Sequence, residues 1–204
     1  MDRQDITEGR VVDFGFAAVA VPAGTHVCQI YEDDDTRTDA FIRYLVKGLE
    51  LRELTAGFSD DLGGAELALH LPVDHDNHSL QLERTSEAYF EGDCFNPDGM
   101  LEKLKQFYHL SQSGGYTGGR VIGEMAPRIQ DMKGSGRLLE YEARVNLLLR
   151  DHPLTVMCQY HAHSFSGSTL MDVLKAHALL VVRGAIVHNP YYIPPETLLG
   201  AAFG

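Results

Sequence analysis

Two rhythms of apolar residues alternate along the chain. Short, nearly continuous runs at Thr25 to Tyr31, Leu54 to Ser59, Arg120 to Met125 and Leu154 to Tyr160 read as strands buried on both faces. Between them, apolar residues recur every three or four positions. Phe41, Leu45, Val46 and Leu49 do so within Thr36 to Glu50, and Met100, Leu101, Leu104, Phe107, Tyr108 and Leu110 do so after Asn96-Pro97-Asp98. Leu138, Tyr141, Val145 and Leu148 or Leu149 do so within Arg137 to Arg150. That spacing puts one apolar stripe on each of three helices. A further helix is predicted over Ser168 to His177 with a serine at its N-cap, and a shorter one over Gly64 to His70 beyond Asp60-Asp61. Leu80 to Thr85 reads as another strand, Pro127 to Gly136 as loop, and Leu179 to Val187, with Gly184 near its middle, as a strand, a hairpin or a bulged strand. The alternation predicts an α/β domain: a mainly parallel central sheet with helices on both faces. Residues 1–22 are set apart as an N-terminal extension or an added edge strand, and residues 23–200 as a single domain.

Composition narrows the class. At 204 residues and 44% hydrophobic the chain can bury a sizeable core. Its net charge of −12 disfavours nucleic acid and anionic membranes as partners. No apolar stretch approaches the roughly 20 residues of a bilayer span, and the start carries no signal-like hydrophobic segment. Cys28, Cys94 and Cys158 are odd in number and scattered, which predicts reduced thiols and a soluble, cytoplasmic protein.

The first strand leads into Glu32-Asp33-Asp34-Asp35 and then directly into a helix. Phosphate-binding α/β domains begin in this way, but their loop needs glycines for close backbone approach and a lysine for the phosphates. Neither is present. Four carboxylates suit the positive end of a helix dipole but would repel a triphosphate by several kcal/mol, even at an effective dielectric near 20. The loop points to a binder or sensor before an NTPase.

Several stretches together resemble the MEDS domain, the methanogen/methylotroph DcmR sensory domain. They are His26-Val27-Cys28-Gln29-Ile30-Tyr31, Gly48-Leu49-Glu50, Arg120-Val121-Ile122-Gly123-Glu124-Met125, Tyr141-Glu142 with Asn146, Cys158-Gln159-Tyr160, and His177 followed by Asn189-Pro190-Tyr191-Tyr192-Ile193-Pro194-Pro195. The resemblance implies a RecA/KaiC-like domain without a functional phosphate loop. It also implies a domain that senses a small molecule and is usually attached to a DNA-binding or histidine-kinase-like module.

In open parallel sheets, ligands sit outside the carboxyl ends of the strands. The ends predicted here are Tyr31 to Asp35, Glu124 to Arg128, and Tyr160 to His163. The expected pocket draws on Tyr31, Glu124, Tyr160, His161, His163 and His177, with Tyr191 and Tyr192 closing over the sheet. Glu124 stands roughly where a RecA-like ATPase keeps its metal-binding acid. It would share a divalent ion with Asp33 or Asp34, pair with Arg128 or another nearby arginine, or cap a loop. Cys158, His161 and His163 form a C-x-x-H-x-H set that could ligate zinc with a fourth ligand from His26, Glu124 or His177. Strand alternation places that set poorly, so no metal and no cofactor are predicted.

The turn Asp74-His75-Asp76-Asn77-His78 fits no metal-ligand spacing and reads as a solvated loop. Met125, Met132 and Met157 could line an adaptable apolar pocket but read better as core or loop residues. Cysteine–histidine catalysis lacks an accompanying nucleophile elbow. The expected function is therefore a non-enzymatic sensory domain for a small organic ligand, signalling to a transcription or signal-transduction partner. The rivals are a RecA-like nucleotide-binding enzyme with an atypical loop, and a protein-interaction module, such as a homo-oligomer or an anti-sigma or kinase regulator, with no small ligand.

Overall fold

The computed structural model describes residues 9–61, 67–71, 78–131 and 135–203. In chain order the strands are β1 (Val11–Val12), β2 (Val21–Pro22), β3 (His26–Tyr31), β4 (Leu54–Phe58), β5 (Leu80–Glu83), β6 (Phe90–Glu91), β7 (Cys94–Phe95), β8 (Gly119–Glu124), β9 (Thr155–His161), β10 (Leu179–Val182) and β11 (Ala185–His188). The α-helices are α1 (Asp34–Glu50), α2 (Thr85–Ala88), α3 (Pro97–Ser113), α4 (Leu138–Asp151), α5 (Gly167–Ala176) and α6 (Pro195–Phe203). Seven strands form the central sheet in the order β11-β10-β3-β9-β8-β4-β5. Every neighbouring pair is parallel except β10 with β11.

Local chemistry sets the helix starts. Asp33 caps α1 by accepting from the Thr36 N–H at 2.7 Å, and Asp34 and Asp35 follow at the positive end of the helix dipole. Asn96 caps α3 with Pro97 next to it. The serine that caps α5 is Ser166, whose Oγ accepts from the Thr169 N–H.

Alternation along the strands divides the interior in two. On one face Cys28, Ala56, Phe58, Val121, Val156, Cys158 and Tyr160 pack beneath α3 and α4, joined by Val173 of α5. On the other, Val27, Ile122, Met157 and Val181 pack beneath α1 together with Val12, Phe14 and Val21. The N-terminal segment is thus part of the core. Its β1–β2 ribbon is a sheet of its own and adds no edge to the central one. A buried ion pair between Arg120 and Glu53 fastens it: Arg120 Nη1 donates to the carbonyls of Asp13 at 3.1 Å and Tyr44 at 2.9 Å, and Arg10 reaches Glu53 as well.

The segment Leu179 to Val187 resolves into a hairpin. Arg183 and Gly184, with φ of 50° and 77°, supply the left-handed turn that matches strand twist. Because β11 runs back, His188 lies beside Leu179, the first residue of β10. Asn189 to Tyr192 therefore leaves the sheet at the end opposite the strand carboxyl ends. From there the chain enters α6, whose Leu198 packs on Ala143 of α4 and Ala176 of α5.

The helical turn α2, the β6–β7 hairpin and α6 add to the predicted elements, and Pro127 to Asp131 is a 3-10 turn within the predicted loop. The start of the predicted Gly64 to His70 helix, the turn Asp74 to Asn77, and Met132 lie outside the described residues.

Candidate functional site

At the carboxyl ends of the strands, on the α1 face, Glu124 is held from three directions. Tyr31 Oη donates to it at 2.6 Å, Arg37 Nη1 at 2.8 Å and Ser59 Oγ at 2.8 Å. Arg37 comes from the first turns of α1, and its Nε lies 3.6 Å from Asp34. An arginine therefore spans Glu124 and Asp34, the place where a divalent ion was one of the expectations. Arg128 instead stacks over Phe90, 4.3 Å from the ring centroid. Burial, reinforced by Glu124, holds the Tyr31 hydroxyl well above the usual phenol range. Beneath this knot Gln159 Nε2 donates to Gln29 at 2.7 Å and to the Arg37 carbonyl at 3.1 Å, tying β3, β9 and α1 together.

A second polar group lies on the opposite face of the sheet, enclosed in the core. His26, Glu142, Cys158 and His177 place one ligating atom each within 4.8 Å of one another, and all four are buried. His26 Nε2 lies 3.0 Å from His177 Nε2, 3.3 Å from Cys158 Sγ and 3.3 Å from Glu142 Oε2. Glu142 Oε2 lies 3.6 Å from His177 Nε2 and 3.9 Å from Cys158 Sγ. The Tyr160 hydroxyl donates to the other carboxylate oxygen. Burial pushes Glu142 up to about 7, against the hydrogen bonds from Tyr160 and Cys158. It pulls His177 down to about 4, and burial together with His177 lowers His26 well below the usual imidazole value. The Cys158 thiol is raised by burial and by Glu142.

A cavity of about 250 Å³ opens beyond the ends of β8 and β9, between the Pro127–Asp131 turn, α4 and α5. Ile129, Leu138, Leu139 and Val173 give it apolar walls, and Gln130, Thr169 and Asp172 give it polar groups. Gln130 is itself anchored, donating to the Ser164 carbonyl at 2.8 Å and accepting from the Ser166 N–H at 2.8 Å.

The residues expected to form one pocket are thus distributed over three places. Tyr31, Glu124 and His161 share the α1 face at the strand ends, where the Tyr31 and His161 rings meet edge-on at 5.2 Å. His163 is exposed beside His161, with ring centroids 5.8 Å apart. Tyr160 and His177 belong to the enclosed cluster, as does Cys158, which alternation turns away from His161. Tyr191 is 58% exposed and Tyr192 sits half-buried near Arg150 and Glu196, both at the far end of the sheet.

Arg37 and Glu142 are site residues to which the sequence reading assigned no role, and His26 entered it only as one choice of fourth zinc ligand beside Cys158, His161 and His163. Glu142 had a signal, since it lies four residues after Leu138 and three before Val145, inside the apolar stripe of α4. His26 was offered beside Cys158 only as one of three choices, because its approach to that residue depends on strand register.

A search of curated proteins finds no relative. Among solved structures, a KaiC-like protein from the hyperthermophilic archaeon Pyrococcus horikoshii superposes with a TM-score of 0.59 at 13% identity, covering 84% of this chain and 79% of that one. The flagellar accessory protein FlaH of Methanocaldococcus jannaschii gives 0.58 at 12% identity, covering 91% and 82%. These likenesses establish a RecA-like fold. The profile of the MEthanogen/methylotroph, DcmR Sensory domain matches residues 25–178, and the chain belongs to the MEDS family of sensory domains.

Proposed function

We propose that the chain is a non-enzymatic sensory module that receives a small, largely apolar organic molecule in the cavity beyond β8 and β9 and signals to a protein partner. The observation that carries this reading is the engagement of Glu124 by Arg37, Tyr31 and Ser59. Glu124 ends β8, roughly where a RecA-like ATPase is expected to keep its metal-binding acid, and here it pairs with a cation from the chain itself. Phosphoryl transfer depends on positioned cations free to meet the phosphates. Glu32 to Asp35, at the start of α1, offers carboxylates instead.

The cavity supports the choice of ligand. Its described lining has no lysine or arginine, and its volume of about 250 Å³ lies below the roughly 300–1,000 Å³ of sites for drug-sized molecules. A compact, uncharged compound with one polar group suits Thr169, Asp172 and Gln130. Native mass spectrometry, followed by calorimetry with a panel of small neutral organics, tests the assignment. Binding is expected, and Thr169→Phe should abolish it while leaving the melt intact. Micromolar Mg-ATP binding with turnover lost in Glu124→Gln would overturn the reading in favour of an enzyme.

A further inference from the structure

We propose that His26, Glu142, Cys158 and His177 form a closed binding site for one zinc ion, within the core and on the opposite face of the sheet from Glu124. Two imidazole nitrogens, one sulfur and one carboxylate oxygen are a typical donor set for this metal. Zinc bonds of about 2.0–2.3 Å arranged tetrahedrally put their donors roughly 3.3–3.8 Å apart. The five separations quoted above run from 3.0 to 3.9 Å.

Hydrogen bonding alone serves these atoms badly. His177 Nδ1 donates to the Val173 carbonyl at 2.8 Å, which in the neutral ring leaves Nε2, 3.0 Å from His26 Nε2, with a lone pair and no proton. A single N–H on His26 Nε2 then faces three acceptors: His177 Nε2, Cys158 Sγ and Glu142 Oε2. The other ring nitrogen of His26 closes no hydrogen bond, although Asn146 stands near enough to favour the charged ring. A cation at the centre resolves the conflict, because all four groups then turn lone pairs toward it.

Charge points the same way. A divalent ion with one thiolate, one carboxylate and two neutral imidazoles sums to zero, the state that a buried site tolerates best. Binding displaces the Cys158 thiol proton, and any proton held by Glu142, to solvent; no electron is transferred. The surrounding contacts are those of a supported site. Val173 fixes the His177 tautomer, and Tyr160 orients the carboxylate. All four donors come from the protein and none reaches solvent, so the site has the closed character of a structural or sensing centre.

The test uses the full chain purified without a histidine tag. Elemental analysis should find about one zinc per chain, and a chelator under mild denaturation should remove it and lower the melting temperature. Refolding with cobalt(II) should give the visible bands of a tetrahedral ion and a thiolate-to-cobalt charge-transfer band. That spectrum is read on the wild-type protein, so it does not depend on any variant folding. Cys158→Ser should lose the charge-transfer band. Tyr160→Phe should weaken zinc binding by about 10–100-fold, and the double variant His161→Ala/His163→Ala should bind as wild type does. The proposal is overturned by a refolded protein that takes up neither metal, by a cobalt spectrum without the thiolate band, or by metal binding lost with His161 and His163. Zinc affinity undiminished in Cys158→Ser would overturn it equally. None of these measurements involves an organic ligand, so the site stands or falls apart from the cavity.

Discussion

The ion pair between Arg37 and Glu124 offers the sharpest check on how the strand ends are built. Arg37→Met keeps the aliphatic stem of the side chain and removes its charge. Breaking a buried pair by deleting one partner costs about 3–5 kcal/mol, because the other charge is left uncompensated. Here Tyr31 and Ser59 still donate to Glu124, and its side chain keeps 12% exposure. Both soften the loss, to about 2–3 kcal/mol. For a chain of this length each kcal/mol moves the melting temperature by about 2–4 °C, so Arg37→Met should melt about 4–12 °C lower. Glu124→Gln should also destabilise, since the carboxylate left to Arg37 among the described residues would be Asp34, whose side chain is 81% exposed, beside its hydrogen bond to the Thr38 hydroxyl at 3.3 Å. In the double variant neither charge is stranded. Urea titrations of the four proteins should therefore show a double-variant cost smaller than the sum of the singles by about 1 kcal/mol or more. Additivity within about 0.5 kcal/mol would refute the coupling and, with it, the claim that Arg37 occupies Glu124.

Two further outcomes can be read from melts alone. Asn189 Nδ2 donates to the carbonyls of Leu174 at 2.6 Å and His177 at 2.7 Å, so Asn189→Ala should cost about 1–3 kcal/mol, whereas Tyr191→Ala, at an exposed ring, should stay within about 0.5 kcal/mol; the opposite order would mean that the tyrosine holds this segment down. A Cβ on Gly48 would lie 2.4 Å from Thr55 Cγ2 and 2.6 Å from Arg120 Cδ, so Gly48→Ala should destabilise by about 1–3 kcal/mol despite alanine's better helix propensity, and a stabilised variant would refute that close packing.

The sheet and its main helices were legible because each carries a periodic signal long enough to count. The buried strands were continuous apolar runs, and α1, α3 and α4 each carried a stripe. Shorter elements had no such signal: Thr85 to Ala88 is a single turn, and β6 and β7 have two residues each. The last helix was announced by Pro195 in its first turn, a favoured position, but two adjacent prolines read more readily as a stiff exit.

The site was harder to read for a geometric reason. Tyr160 and His161 are adjacent in sequence and face opposite sides of the sheet, so proximity along the chain was a poor guide to proximity in space. Tyr191 and Tyr192 were sent to the wrong end in effect by one unknown, whether Gly184 marked a bulge or a reversal. Only the reversal carries Asn189 back beside the start of β10.

The ten residues of α5 span about 15 Å. Thr169, in its first turn, faces the cavity, while the carbonyl of Val173, one turn further on, sets which nitrogen of His177 carries its proton. Val173 itself belongs to both, lining the cavity with its side chain and meeting the imidazole with its backbone. A guest in the proposed cavity would press on Thr169 in the first turn of the same helix whose Val173 carbonyl holds the proton of His177, although no side chain of the buried quartet lines that cavity.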